Sequence, residues 1–179
     1  MVTQRNREQG FTLIEMIVTV AIIASLAAIL VPIVSSELGD TAQSRAIGDA
    51  QRIGTAMTQF IKDTRIFPTG PGGDDSVEIL RGAGNDPAGG NAMIEGDGAD
   101  ENLLAYLTDG LANGGALWNG PYMQQIPADP WGNAFFVNVN GYYDNAEYVW
   151  VISAGPDGEI ETLPEDVQLA GDDIGILID

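Results

Sequence analysis

Gly10-Phe11-Thr12-Leu13-Ile14-Glu15, followed without a break by MIVTVAIIASLAAILVPIV at residues 16–34, decides how this chain is organised. The run over 16–34 contains no charged residue. With Phe11 to Ile14 it offers about 20 apolar positions, enough at about 1.5 Å per residue to cross about 30 Å of hydrocarbon as a helix. Glu15 thus stands at the mouth of a membrane-length segment, where a carboxylate costs roughly 2.5–3.5 kcal/mol and usually has a partner. The residues ahead of it, MVTQRNREQG, are polar and carry Arg5 and Arg7, a flank of the kind retained on the cytoplasmic side. The amino end is expected to stay inside and the rest to be exported. A secretory signal places its small-residue cleavage site behind the apolar core, whereas this polar leader ends at Gly10, ahead of the core.

Beyond the apolar run, Pro32 falls near the expected membrane boundary, where a helix tolerates it; inside an isolated helix it would cost about 3 kcal/mol. Then the pattern turns amphipathic. Leu38, Ala42, Ala46, Ile47, Ala50, Ile53, Met57, Phe60 and Ile61 recur at helical spacing with Asp40, Arg45, Asp49, Arg52 and Lys62 between them. Gly39, Gly48 and Gly54 each weaken this half by about 1 kcal/mol relative to Ala, so it needs a partner for its apolar stripe. The sequence Phe67-Pro68-Thr69-Gly70-Pro71-Gly72-Gly73 ends the helix.

A head follows. Residues 99–107 (ADENLLAYL) read as a helix, and Asp75 to Arg81 is a second, shorter helix candidate, with an extended surface loop between the two. AFFVNV at 134–139 and EYVWVIS at 147–153 are rich in aromatic and β-branched residues and predict an antiparallel hairpin whose turn region begins at Asn140-Gly141. Ile174 to Ile178 is a third strand candidate. A head of this size buries a core only if its sheet lies on the amphipathic helix, which predicts an α+β fold: a long N-terminal helix packed against a small antiparallel sheet. The expected segments are 1–10 leader, 11–34 transmembrane, 35–66 amphipathic continuation of the helix and 67–179 head.

Net charge is −19, and after Arg81 there are seventeen Asp and Glu and no Lys or Arg. Such acidity suits a solvated face and argues against nucleic acid as a partner. The chain has no Cys and no His, which removes disulfides, Ser-His-Asp and Cys-His catalysis and the common zinc sites. A pair of carboxylates carries no catalytic signal in so acidic a chain, and no enzymatic role is expected.

The leader ending in Gly10, the Phe-Thr-Leu-Ile-Glu that follows and the apolar run with Pro32 resemble the type IV pilin family in the broad sense. The resemblance implies that a prepilin peptidase cuts between Gly10 and Phe11 and methylates the new amino terminus of Phe11. It also implies a role for Glu15 in assembly: the freed amine of Phe11 on a neighbouring subunit would neutralise it as helices stack. The residues alone also allow an interfacial Glu15 that snorkels to headgroups and does nothing more. Trp118-Asn119-Gly120-Pro121-Tyr122, then Pro127-Ala128-Asp129-Pro130-Trp131-Gly132-Asn133, then the hairpin, are similar to the major pseudopilins of type II secretion systems. Physically, Asp129-Pro130 and Gly132-Asn133 make a rigid turn that Trp131 can anchor to the core.

Ser153-Ala154-Gly155-Pro156-Asp157-Gly158-Glu159 and Gly171-Asp172-Asp173 continue the likeness. In that family a calcium ion ties this loop. The matching residues are the side chains of Asp157, Asp172 and Asp173 and the backbone oxygens of Ala154 and Glu159, and six to eight oxygens at about 2.3–2.6 Å is what the ion requires. Residues 160–171 (IETLPEDVQLAG) form a longer loop than the family's and add Glu161, Glu165 and Asp166. Composition alone would also place acidic pairs in any loop of this chain.

The function implied is a structural subunit of a periplasmic pseudopilus, a homopolymer anchored in the bacterial inner membrane by a single pass and pushing folded substrates outward. Implied partners are copies of itself, minor pseudopilins, the prepilin peptidase and an inner-membrane assembly platform. Two alternatives stand beside it. One is a type IV pilus subunit for adhesion, motility or DNA uptake, and the other a membrane-tethered calcium-dependent binding domain that never polymerises.

Overall fold

The structure, a computed structural model, describes residues 11–67, 79–88, 101–110, 117–143 and 147–178. The chain divides between Asp40 and Thr41 into two compact units. One helix, α1 (Leu13–Thr64), supplies the described residues of the first unit and opens the second. It continues through Pro32. In the first unit the large apolar side chains from Phe11 to Leu38 are all exposed, so this stretch buries nothing against its own unit. Thr19 and Ser25 lie within it, and their hydroxyls donate back to the carbonyls of Glu15 and Ala21 at 2.9 Å. No polar side chain of the run is left to solvate itself, a requirement for a helix in hydrocarbon.

The second unit is a helix laid on a sheet. Ala46, Ala50, Ile53, Met57 and Phe60, five members of the expected stripe, are buried, and Ile61 packs at their edge. Leu38 and Ile47 from the same stripe are exposed, because the buried face runs through Asp49, Gly54, Ala56 and Thr64 instead. Gly54 packs against β5: a Cβ there would meet the tip of the Ile176 side chain at 2.6 Å.

Among the described residues five strands make the sheet: β1 (Ile79–Arg81), β2 (Glu101–Asn102), β3 (Phe136–Asn138), β4 (Val149–Ser153) and β5 (Ile174–Ile178), in the order β2-β1-β3-β4-β5. The β1, β3, β4 and β5 neighbours pair antiparallel, and β2 adds a two-residue parallel edge. The expected hairpin is β3–β4, with Phe136 opposite Ile152 and Val137 opposite Val151. Its connection opens with a 3-10 turn at Asn140–Tyr142.

Two helix expectations need correction. Ile79–Arg81 is a strand, not the end of a helix, because these three residues pair with Asn138, Val137 and Phe136, and residues 75–78 lie outside the described residues. The helix expected over 99–107 is shortened to α2 (Leu103–Leu107). Asn102 has extended backbone and its Oδ1 accepts a hydrogen bond from Leu104 N at 2.9 Å, so it caps the helix at that point. Glu101 and Asn102 extend instead along β1. Residues 68–73 of the expected helix stop and 89–98 of the expected loop also fall outside the described residues.

All of β4 is buried, which means both faces of the sheet are covered. Val149 and Val151 face α1, α2 and Tyr122. Trp150 and Ile152 face the other way, into a second cluster with Ile79, Phe136 and Ile160, and Leu169 packs against it. That second cover comes from the long loop over 160–171: Trp150 Nε1 donates to Asp166 O at 3.0 Å and Tyr148 N to Pro164 O at 2.9 Å. The loop is therefore a lid on the sheet and part of the fold.

Candidate functional site

Two places on the chain collect the residues singled out from sequence. The first is the start of α1. Thr12 N donates to Glu15 Oε2 at 2.9 Å and Thr12 Oγ1 donates to the same oxygen at 2.8 Å, while Glu15 N donates to Thr12 Oγ1 at 3.3 Å. This reciprocal pair is a capping box, the Thr-x-x-Glu pattern that satisfies orphan amide donors at a helix start. Glu15 thus has a partner within its own chain, and Thr12 is a residue the sequence reading passed over although the spacing was there to see. One Glu15 oxygen is occupied in this way. Phe11 is exposed directly ahead of the cap, and Gly10, with the rest of the leader, lies outside the described residues.

α1 is the one described helix long and apolar enough to cross a membrane, with a mean hydropathy of 2.8 over its best window and none of that window buried.

The second place is the loop after β4. Gly155 and Gly158 take positive φ values of 64° and 76°, and a Cβ on Gly155 would collide with the Asp172 carbonyl, so the two ends of the loop touch. Asp157 lies between these glycines. Its Oδ1 accepts from Glu159 N at 2.9 Å, and its own N donates to Asp172 Oδ2 at 3.2 Å. Carboxylate oxygens of Asp157, Glu161 and Asp172 all lie within 4.8 Å of one another. Two of these three were singled out as ligands from sequence. Glu161 was noted only as an addition of the long loop, and its arrival beside Asp157 and Asp172 depends on the chain reversal over 160–171.

Asp173 has a different setting. It is only 7% exposed, and its Oδ2 accepts from Glu161 N at 3.0 Å, Thr162 N at 2.8 Å and Thr162 Oγ1 at 2.7 Å. Burial pushes its carboxyl up; the Thr162 and Glu161 donors pull it back, and the Asp172 charge adds to the rise. Glu161 is also raised, by desolvation first and then by the charges of Asp157, Asp173 and Asp172. Among the described residues, Asp172 Oδ1 and Asp173 Oδ1 are buried with no hydrogen-bond donor. Ala154 is fully buried where β4 ends, and Glu159 bridges in parallel to Ala88.

Charge-dense oxygens with orphaned lone pairs are the chemistry a hard dication satisfies. Oxygens bound to one Ca²⁺ at about 2.3–2.6 Å lie at most about 4.6–5.2 Å apart, so the three clustered carboxylates fit a single ion.

The Pro127 to Asn133 turn is structural. Asp129 is buried, its Oδ1 accepts from Trp131 N at 3.0 Å and Asn133 N at 2.7 Å, and its Oδ2 accepts from Ser153 Oγ at 2.7 Å. One side chain thereby ties the turn to the end of β4.

Residues 5–31 match the family described as prokaryotic N-terminal methylation motif, and residues 98–171 match the type II secretion system protein G family. The first match contains Gly10, Phe11 and Glu15. The second contains the Trp118 to Asn133 turn, Asp157 and Glu161, and stops one residue short of Asp172. The chain is 27% identical over 160 residues to type II secretion system core protein G of Escherichia coli (strain K12), covering 88% of each chain. It is 25% identical to the protein of that name from Aeromonas hydrophila, covering 89% of this chain and 90% of the relative. With that of Pseudomonas aeruginosa the identity is 29% over 74% of each chain. No solved structure matches the chain significantly.

Proposed function

We propose, from its likeness to type II secretion system protein G, that this chain is the structural subunit of a pseudopilus, assembling through α1 to drive protein export. The observation that carries this is the first unit of α1: a membrane-length apolar helix that buries nothing in its own unit and opens on the Thr12–Glu15 cap. Neighbouring copies and lipid are the surroundings such a surface suits. The relatives named above are secretion proteins, which favours the pseudopilus over a pilus for adhesion or DNA uptake.

In this reading the leader, with Arg5 and Arg7, stays cytoplasmic, the helix spans the inner membrane once, and the head lies in the periplasm. A prepilin peptidase removes residues 1–10 and methylates Phe11. An inner-membrane assembly platform then stacks copies together with minor pseudopilins. In this reading the protein is a mechanical part, not an enzyme. Co-expression with a prepilin peptidase tests the first step: the mature chain should have the mass of residues 11–179 plus one methyl group, with N-methyl-phenylalanine as its first residue. An intact leader, or a cut behind the apolar run, would overturn the reading.

Calcium belongs to the same proposal. Asp157, Glu161 and Asp172 would hold the ion, with the unpartnered oxygens of Asp172 and Asp173 as the loop's spare acceptors. When bound, Ca²⁺ would cancel the mutual repulsion of these carboxylates and lock the loop's ends together. Calcium at a hundred times its Kd should stabilise the full-length protein in detergent by about 2.7 kcal/mol. That appears as a rise of several degrees in Tm over a chelated sample. Asp157→Ala and Asp172→Ala should each remove the rise, and equal melts of the native chain with calcium and with chelator would remove the metal.

A further inference from the structure

Charge in this chain is segregated. Beyond the leader the cations are Arg45, Arg52, Lys62, Arg65 and Arg81, four of them within twenty-one residues of α1 and its end, while everything after Arg81 is acidic. On α1 the Asp49 side chain is buried, but the Arg45 and Arg52 side chains that flank it are 63% and 69% exposed. One buried carboxylate shared by two guanidiniums leaves most of their donors facing outward around Arg52, while Asp63 sets a carboxylate beside Gln59 at the other end of the face.

Along that face runs a groove of about 930 Å³ between α1 and residues 122–125, lined by Gly48, Arg52, Thr55, Ala56, Tyr122 and Met123 among others. Gly48 leaves it open: no atom lies within 4 Å of where a Cβ would stand. Ala56 and Met123 offer apolar surface and Arg52 a charge.

The loop over 160–171 has the complementary character. Leu163 N donates to Asp166 Oδ2 at 2.8 Å and Asp166 N to Leu163 O at 3.0 Å, so its tip is already ordered. Yet that tip turns Val167, 62% exposed, and Leu163, 39% exposed, toward solvent beside an exposed Glu165. An ordered tip with outward apolar side chains and a carboxylate costs little conformational entropy to dock.

We propose that the loop tip of one copy, with Val167 and Glu165, docks in the α1 groove of the next copy, Glu165 against Arg52. This rests on the homopolymer reading above and deepens it by naming a contact between heads. Groove and loop are different patches, so the contact is heterologous and propagates from copy to copy, as an open filament requires. A second copy is the occupant that charge favours, since each copy carries both the exposed Arg52 and the acidic tip.

The absence of native cysteine makes the test direct. Two full-length, differently tagged copies, one Thr55→Cys and the other Val167→Cys, are co-expressed in cells that assemble filaments and then oxidised. The expected result is a disulfide joining the two tags, formed far more than either same-tag dimer. Glu165→Arg in the second copy should lower that product about fivefold, the scale of an exposed ion pair lost. Filaments seen by microscopy without the mixed disulfide overturn this contact and leave the pseudopilus standing. Failure of the native chain to form filaments overturns both.

Discussion

Glu15→Val is expected to abolish filament assembly while membrane insertion survives. Valine is apolar like most of the run, so the helix enters the bilayer more easily; a carboxylate there costs roughly 2.5–3.5 kcal/mol by insertion scales. In the proposed filament the variant loses the carboxylate that would face the amine of a neighbouring Phe11, and it also loses the Glu15 half of the capping box, the bonds from Thr12 N and Oγ1. These two losses separate chemically. Glu15→Gln keeps an oxygen for Thr12 N and Oγ1, as a capping box accepts Gln in this place, but carries no charge. If Glu15 acts in assembly through its charge, Gln fails as completely as Val. If its work is the cap, Gln assembles normally, and Thr12→Ala, costing about 1 kcal/mol of helix start, becomes the damaging change. Filaments counted by microscopy against subunit recovered in the membrane fraction give the answer.

Asp129→Ala should be the most destabilising single change in the turn that bears it. Three donors, Trp131 N, Asn133 N and Ser153 Oγ, lose a charged acceptor in a site that is nearly closed to water. Hydrogen bonds to charged groups contribute roughly 1.5–3 kcal/mol each, but the three share one side chain and do not add, so a loss of about 3 kcal/mol is expected. In a chain of this length that lowers Tm by about 6–12 °C. Asp129→Asn should cost about 1 kcal/mol, because Oδ1 still accepts from the turn and Nδ2 can donate to Ser153 Oγ. Thermal melts of the full-length variants in detergent, followed by tryptophan fluorescence, measure both. Equal losses for Ala and Asn would show that charge, not hydrogen-bond geometry, holds the turn.

Local pattern made much of this legible. The apolar run and its Glu15 follow from composition and length, Ile174–Ile178 from its β-branched residues, and the stripe from Ala46 to Phe60 from its period. What escaped was set by distant partners. Ile79–Arg81 is too short to show a period, and its strand character comes from Phe136 to Asn138, more than fifty residues away. The acidic loop read as a solvated insertion because nothing local says that Ile160 and Leu169 face Trp150 and Ile152. For the same reason Glu161 has no local signal for the carboxylate cluster, whereas Asp157 and Asp172 come from the family resemblance. Thr12 differs from these: its Thr-x-x-Glu spacing is local and is a capping-box signal in its own right.

β5 is the last strand of the sheet, with β4 on one side and, among the described residues, no strand on the other. IGILI is apolar and β-prone, and an open edge of that kind recruits further strands in many proteins, ending in aggregates. In this chain the sequence places Asp172 before the edge and Asp179 after it as a guard, while Asp173 is buried and held by Thr162. Two such edges drawing together bring like charges into register along with the strands. The guard reaches about a Debye length, about 10 Å at 0.1 M salt and 3 Å at 1 M. The heavy acidity of the head thus acts as a gatekeeper against fibre growth in the wrong direction, and salt concentration sets how well it works.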